Sequence, residues 1–532
     1  MRVRAARAVR SVMRTWARVA VLLLVGALLP GKEGPLSAQT LGRVDFEAAG
    51  VPEAQEHFGL GVLFLHNFEY EDAALAFRKA RDADPDMAMA YWGEAMTYNH
   101  PIWMEQDREA ALKVLEALGA TPDKRAANAA SEWERDWLAT LDVLYGDGPK
   151  KERDLAYRDA MRRMWEKYPE NDEVAAFYAL AILGTAHEGR DFATYMRAAA
   201  VVQPVFLRSP DHPGAAHYVI HAFDDPVHAP LGLPAARAYS EVAPDAGHAQ
   251  HMTSHIFVAM GLWDDVVAAN VRARDVQNRG LASKGRRPNV CGHYTSWLHY
   301  GYLQQGRLDE ARTTMDACQQ RMDDRPNRGE AGYYVAMRAR AAIDAEDWEA
   351  PGRYTADLNG FPALRLRYDF VDALAAIRTG DLNRAGELRA RHGAVEDAST
   401  RRDGILLSAI DGLLAEAERP GSGISTLMEA AEVEASLPFE FGPPATLMPP
   451  HELVATQLTA LGRFEDAKDF WTEQLNRTPL RTSSLLGLAR TREGLGDRLG
   501  AEEAYRTLSR IWRQADAGTP GLSEARAVGT HE

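Results

Sequence analysis

Residues 60–85, LGVLFLHNFEYEDAALAFRKARDADP, decide how this chain of 532 residues folds. Gly61 and Ala73 are small and allow two helices to approach closely, and the ring of Phe77 fills the space beside them. Pro85 closes the second helix, because proline cannot continue a helical hydrogen-bond ladder. The stretch therefore predicts two short helices that pack against each other as one unit.

The same pattern returns near the other end of the chain, where it recurs after 34 residues, from Ala467 to Ala501. An aromatic residue follows each alanine and a glycine precedes each helix; these residues are Trp471, Tyr505, Gly462 and Gly496. A period of 34 is that of the tetratricopeptide repeat, in which helix–turn–helix units stack into a solenoid. The chain resembles this family, and the resemblance implies an all-α fold, a superhelical α-solenoid of such repeats.

Three further segments resemble recurring segments of exported bacterial tetratricopeptide proteins of no established activity. They are AYWGEA at 90–95, HPGAAH at 212–217 and HMTSH at 251–255. This resemblance extends over nearly all of the mature chain and implies a scaffold or a binding protein, but it implies no reaction. We expect two repeat blocks, 39–325 with histidine-rich middle repeats and 326–532 with degenerate and then regular repeats.

Residues 1–38 have the order of a secretory signal peptide. Six arginines precede an apolar run at 19–29, and Ser37 and Ala38 are small residues suited to cleavage. The apolar run is shorter than a transmembrane helix needs. We therefore predict export to the periplasm or to the exterior, with an uncleaved N-terminal anchor as the alternative.

Export changes how the charge is interpreted. The whole chain has a net charge of −15, and its leader holds seven basic residues and one acidic residue, so the mature chain would carry −21. An anionic surface argues against nucleic acid and against anionic lipid as partners. We therefore expect no nucleic acid and no membrane contact beyond the signal peptide.

The two cysteines of the chain, Cys291 and Cys318, form no framework for metal or redox chemistry. Cys291 precedes the first helix of its repeat and Cys318 comes late in the second. Antiparallel helices bring these ends together, and an oxidising compartment would permit the pair to form a disulfide.

Two histidine pairs stand one repeat apart in the middle of the chain. His217 and His221 are followed by His251 and His255, and both offsets are 34 residues. Residues spaced i, i+4 share one face of a helix, so the two pairs should face one groove from neighbouring repeats. Imidazole-rich sites suit zinc, copper or iron. We predict that these four histidines bind a transition-metal ion on the concave surface of the solenoid.

Four other residues could take part in this site. His248 and His293 hold the second position of their repeats, on the same helical stripe as the pairs. Asp224 lies one turn after His221, and His212 precedes the first pair. Four protein nitrogens would give a closed site, whereas three with Asp224 or a water molecule would leave room for catalysis.

Three residues nearer the N-terminus are candidates for lining the groove. They are Trp92, for which filling the core is the alternative, and His66 and His100, which we expect to be polar groove residues outside the metal site. The two histidines lie at least two repeats away from the pairs.

The sequence contains no zinc-protease, hydrolase, phosphate-loop or dinucleotide-binding motif. We therefore expect an exported scaffold that binds a protein or peptide in its groove and holds a metal ion there, a binding protein more than an enzyme. A metal-dependent enzyme with an open histidine and aspartate site is the alternative, and a purely structural polar core is the third. Groove histidines could also bind a peptide carboxylate or act as a pH switch.

Overall fold

The computed structural model describes residues 39–324, 326–393 and 401–529, so the predicted signal peptide at 1–38 lies outside the described residues. The fold prediction is confirmed, because 26 α-helices make up almost all of the regular structure that is described. One short antiparallel pair of strands, β1 (Asn99–His100) and β2 (Glu105–Gln106), interrupts the helices. Two 3₁₀ turns lie at Pro101–Trp103 and Pro362–Leu364.

The helices follow one another in pairs along the chain. The first nine are α1 Pro52–His66, α2 Tyr70–Ala83, α3 Ala88–Met96, α4 Arg108–Leu118, α5 Pro122–Asn128, α6 Glu132–Leu144, α7 Lys150–Lys167, α8 Asp172–Leu183 and α9 Phe192–Arg208. The middle seven are α10 Pro213–Phe223, α11 Ala229–Val242, α12 Gly247–Ala259, α13 Trp263–Ser283, α14 His293–Gln304, α15 Leu308–Asp323 and α16 Arg328–Ile343. The last ten are α17 Ala350–Arg353, α18 Arg365–Thr379, α19 Leu382–Ala390, α20 Arg401–Glu418, α21 Ile424–Ser436, α22 Pro450–Ala460, α23 Phe464–Arg477, α24 Thr482–Gly494, α25 Arg498–Ile511 and α26 Leu522–Gly529.

A left-handed residue joins the two helices of several repeats. Glycine, which adopts this conformation without a steric penalty, occupies the position in five of them: Gly261 (φ 67°), Gly306 (φ 67°), Gly380 (φ 85°), Gly462 (φ 72°) and Gly496 (φ 76°). The turns predicted at Gly462 and Gly496 are therefore confirmed. Residues 278–290 are rich in arginine, lysine and glycine, a composition typical of a loop, but α13 continues through the first of them to Ser283 and the loop begins at Lys284.

The solenoid curves back on itself, so that distant repeats touch. The indole N–H of Trp263 donates to the carbonyl of Leu480 at 2.9 Å, and that of Trp512 donates to the carbonyl of Gln304 at 3.1 Å. The guanidinium of Arg481, which is fully buried, pairs with Asp344 on α16 and with a carboxylate on α22. Because distant repeats are in contact, the inner face of the middle repeats is buried inside the molecule.

The structure also bears on the predicted disulfide and on membrane-spanning helices. Cys291 and Cys318 are joined as a disulfide, with Cα atoms 4.6 Å apart. Within the described ranges, none of the helices is both long and apolar enough to cross a membrane.

Candidate metal centre

The predicted histidines lie in the interior of the molecule and not on an open groove. His217 and His251 are completely buried, and His221 and His255 are 2% exposed. The loop 437–449 closes the space above them, and the ring of Phe441 stacks on His255 at 4.8 Å between centroids. The expected open concave surface at these residues is therefore wrong, because the chain fills its own groove there.

The first cluster combines a histidine pair on α10 with a residue from the next repeat. The ligand atoms of His217, His221 and His248 all lie within 4.8 Å of one another. His217 Nδ1 donates to the carbonyl of His66 at 2.7 Å, and a carbonyl can only accept, so His217 presents a bare lone pair at Nε2. The Nε2 atoms of all three histidines are buried and have no hydrogen-bond partner among the residues that the structure describes. We call this group the first triad.

A second cluster has the same construction one repeat further along. The ligand atoms of His251, His255 and His293 also lie within 4.8 Å of one another. The Nε2 atoms of His251 and His255 face each other at 3.2 Å, and the ring centroids of His251 and His293 are 4.4 Å apart. The indole of Trp297 stacks on His255 at 4.7 Å. We call this group the second triad.

Asp224 connects the two triads. It follows the last residue of α10, and its Oδ2 atom lies 2.9 Å from His255 Nδ1 and 3.4 Å from His221 Nδ1. Its other oxygen pairs with the buried guanidinium of Arg190. A carboxylate in this position fixes the ring orientation of a ligating histidine and increases its basicity. Asp224 thus contacts one histidine of each triad, and together with His221 and His255 it forms a further group that could hold a metal ion.

The structure divides the four expected histidines between two groups of three, while His221 and His255 also meet at Asp224. His217 and His221 associate with His248, whereas His251 and His255 associate with His293. Each pair approaches the second position of the following repeat more closely than it approaches the other pair, because neighbouring repeats are offset as well as stacked. All six residues were candidates, but the division between them depends on the superhelical offset.

A third cluster groups His212 with His66 and Glu173, separately from both triads. His212 Nδ1 accepts from the backbone N–H of Ala215 and so caps α10, and its Nε2 lies 3.3 Å from Glu173 Oε1. His66 Nε2 donates to Glu173 Oε2 at 2.8 Å, and His66 Nδ1 accepts from the hydroxyl of Tyr218 at 2.9 Å. Burial would raise the pKa of Glu173, but the two histidines hold it well below its usual range. His212 thus groups with His66 and Glu173 and not with the four paired histidines that it was expected to join.

The three residues expected to line the groove lie in different environments. Trp92 is completely buried and packs against Trp137 at 5.0 Å, so it belongs to the core. His66 is also completely buried and contributes its carbonyl to the first triad, because the curvature brings α1 against α10. His100 alone is partly exposed, and its ring stacks on Tyr70 at 4.0 Å.

Phe68 covers the first triad from a strained backbone position. It occupies the left-handed turn position (φ 54°) that is glycine in five later repeats. Its ring lies 4.3 Å from that of His217 and 5.5 Å from that of His248. Bulky residues rarely adopt this conformation, and strain of this kind concentrates at functional sites.

Burial sets the protonation of both triads. It lowers the pKa of His217, His221, His248, His251 and His255 well below 6.5, and neighbouring histidines lower each further. Burial also lowers the pKa of His293 to about 4. The imidazoles are therefore neutral at pH 7, which is the form that binds metal ions.

The geometry of the first triad fits a tetrahedral ion. Zn–N bonds of 2.0–2.1 Å place three ligand nitrogens about 3.4 Å from one another. The triad nitrogens lie within 4.8 Å before any adjustment, so small ring rotations close the site. Three neutral nitrogens favour zinc, copper or iron over magnesium or calcium, which prefer oxygen ligands.

Several residues of the centre were missed by the sequence reasoning. Asn270 accepts from His251 Nδ1 at 2.7 Å, and Arg190 balances the buried Asp224. Asn270 could have been noticed as a lone polar residue on the apolar stripe of α13. Glu173 gave no signal, because an acidic residue in the first turn of a helix is ordinary.

Comparisons with known proteins agree on the fold and reach no further. No protein-family model and no curated protein sequence matches the chain. The human IFIT1 dimer with m7Gppp-AAAA matches at 14% identity and a TM-score of 0.31, over 89% of this chain and 91% of that one. Yeast Tom70 matches at 13% identity and a TM-score of 0.29, over 90% and 96%. The chain has a tetratricopeptide-like helical-repeat fold, and similarity at this level concerns the fold alone.

These neighbours correct one expectation about partners. The IFIT1 structures are complexes with m7Gppp-AAAA, with Gppp-AAAA or with PPP-AAAA. The exclusion of nucleic acid, which was drawn from net charge alone, is therefore wrong. Net charge averages over the whole surface and does not describe any one part of it.

Proposed function

We propose that this protein is an exported helical-repeat scaffold that binds a transition-metal ion through His217, His221 and His248. One observation carries the proposal: each of the three histidines places a ring nitrogen within 4.8 Å of the others, and the buried Nε2 atom of each has no hydrogen-bond partner in the described part of the chain. A buried polar atom left unpaired costs about 1–3 kcal/mol. A metal ion bonded to all three nitrogens removes these costs together.

The tautomer of His217 supports metal binding over a structural hydrogen-bond network. Its Nδ1 carries the ring proton and donates it to the carbonyl of His66, so its Nε2 can only accept a hydrogen bond or bind a metal ion. Asp224 lies behind His221 at 3.4 Å, in the position where carboxylates support metal-ligating histidines. A purely structural polar core would pair these atoms with one another, as Glu173 and His66 are paired nearby.

A metal-dependent enzyme is the second candidate, and the ligand count favours it. Three protein nitrogens leave a fourth position open, which is the arrangement of catalytic zinc sites. We expect cobalt-loaded protein to change its visible absorption spectrum when azide is added, because azide enters an open position. An unchanged spectrum would indicate a closed site and would favour storage or structural binding.

Elemental analysis of protein purified without a nickel column tests the principal proposal. We expect bound zinc, copper or iron in the wild type and a loss of at least one equivalent in His248→Ala. His299→Ala is the matched control, because His299 is also completely buried but lies outside both triads. It should lower stability and leave the metal content unchanged.

Two outcomes would contradict the proposal. The first is wild-type protein that contains no metal and takes up none from zinc, copper or iron solutions. The second is metal content that His248→Ala and His299→Ala reduce equally, because general loss of packing would then explain the effect.

A further inference from the structure

We propose that a second transition-metal ion binds at His251, His255 and His293, beside the first, so that the interior holds a two-metal centre. This inference rests on the proposed function and extends it, since a lone first triad would already satisfy that proposal. The second triad has its own evidence in the hydrogen bonds that surround it.

The proton of His251 is assigned by Asn270. The side-chain N–H of Asn270 donates to the carbonyl of Val266 at 2.8 Å, so the amide oxygen is the atom that faces His251 Nδ1 at 2.7 Å. An amide oxygen only accepts, and therefore His251 carries its proton at Nδ1. Its Nε2 atom presents a lone pair.

The proton of His255 is assigned by Asp224 in the same way. A carboxylate oxygen lies 2.9 Å from His255 Nδ1, so the proton is held there and Nε2 is again bare. The two Nε2 atoms of His251 and His255 are 3.2 Å apart. Two lone pairs at this distance repel each other unless a cation lies between or beside them.

A proton is a poor candidate for that cation. His251 is completely buried and His255 is 2% exposed, and with Nδ1 already protonated a second proton would place a positive charge on a buried ring. A metal ion removes the repulsion by accepting both lone pairs, and His293 supplies a third nitrogen within 4.8 Å. The hydroxyl of Tyr333 lies 3.2 Å from His293 Nδ1 and holds this ring at the edge of the site.

The two sites follow one construction rule. Each takes an i, i+4 pair from one repeat and the second-position histidine from the next. Asp224 contacts one histidine of each triad, and the rings of His221 and His255, which belong to different triads, are 5.6 Å apart. The negative charge of Asp224 between the sites offsets part of the repulsion between two bound cations.

Zinc titration of the metal-free full-length protein, with bound ions counted by native mass spectrometry, tests the inference. We expect two ions in the wild type, one in His293→Ala, one in His248→Ala and none in the double variant. Circular dichroism of each variant confirms that it is folded, and His293→Gln provides a second variant of similar size. Copper(II)-loaded wild type should also show the half-field electron paramagnetic resonance signal of two nearby ions, and both single variants should lose it.

The outcomes separate the two proposals. One ion in the wild type that is lost in His248→Ala and kept in His293→Ala overturns the two-metal centre and leaves the proposed function standing. One ion that is lost in either variant indicates a single ion shared between the triads and also overturns it. A wild type that binds none of zinc, copper and iron overturns both.

Discussion

At the residue scale, Phe68 adopts an unfavourable backbone conformation while its ring covers the first triad. An L-residue in the left-handed region costs roughly 1–2 kcal/mol relative to glycine, and Phe68 adopts φ 54°. We expect metal-free Phe68→Gly to be about 1 kcal/mol more stable than Phe68→Ala, because both lose the ring and only glycine relieves the turn. Urea unfolding measures the difference.

A matched pair checks that this order reflects the turn. Leu65 is equally buried but lies within α1, where glycine is about 1 kcal/mol worse than alanine. The order of stability should therefore reverse between Leu65→Ala and Leu65→Gly. If alanine is the better residue at position 68 as well, the strain account of Phe68 is wrong.

Asn270 gives a second prediction at this scale. Asn270→Leu removes the acceptor of the His251 proton, so that the ring can change tautomer and present N–H to the second site. We expect the affinity for the second zinc ion to fall about 10–100-fold, as for other supporting residues of metal ligands, with the first ion unaffected. Isothermal titration with zinc measures both affinities.

Gln250→Leu is the control for Asn270→Leu. Gln250 is a buried polar residue of α12, next to His251 in the chain, whose side chain donates to the carbonyls of Ser240 and Ala243 and to no triad histidine. It should lower stability without changing either zinc affinity. Equal losses of affinity in the two variants would show that Asn270 acts only through general stability.

The residues of the centre were largely visible in the sequence, but their connections were not. The 34-residue spacing identified both histidine pairs, and the helical stripe added His248 and His293. Which pair associates with which later histidine depends on the offset between repeats, and a spacing along one helix contains no information about that offset.

At the scale of elements, a close approach between α1 and α10 holds the first triad in place. Gly214 makes the approach possible, because a Cβ atom there would lie 2.2 Å from His66 Nδ1. We expect Gly214→Ala to lower stability by about 1–3 kcal/mol, as overpacking does, and to weaken zinc binding, since His66 anchors His217. Thermal unfolding and zinc titration measure the two effects.

Gly59→Ala is the opposite case on α1. Nothing lies within 4 Å of a Cβ atom at that position, and alanine is favoured over glycine in a helix by roughly 0.5–1 kcal/mol. We expect this variant to be more stable than the wild type. A loss of stability in Gly59→Ala similar to that in Gly214→Ala would contradict the steric explanation.

The elements themselves followed from simple rules in the sequence. Small residues, aromatic residues and turn glycines at a fixed period predicted the helix pairs, and the turns at Gly462 and Gly496 are where the pattern placed them. Composition was less informative at 278–290, because a run rich in arginine and glycine resembles a loop, yet α13 continues along it to Ser283.

At the scale of the whole molecule, curvature converts a groove into an interior. The contact between Trp263 and Leu480 spans 217 positions of the chain, and no local pattern predicts a contact of that length. Because the inner face is closed, histidines that would be ordinary polar groups on an open surface become buried and neutral.

Because the closed interior keeps its histidines neutral, we expect the metal-free protein to lose stability in mild acid, where the unfolded chain binds protons that the folded chain does not. The contribution of one such histidine, His299, can be measured. Burial, with a smaller effect from the charge of Arg340, lowers the pKa of His299 to about 3 in the folded state. The unfolded chain binds this proton below about pH 6.5. The contribution of His299 is therefore complete above pH 6.5 and is lost progressively as the pH falls toward 3.

The expected loss for His299 is about 1 kcal/mol between pH 6 and pH 5. In His299→Phe, the difference in unfolding free energy between these two pH values should be smaller than in the wild type by that amount. Tyr300→Phe is the control on the same helix, because burial raises the pKa of Tyr300 to about 12 and it does not titrate in this range. Urea unfolding at both pH values measures all three proteins. An unchanged pH dependence in His299→Phe would mean that this interior admits the proton, and that closure of the fold does not keep its histidines neutral.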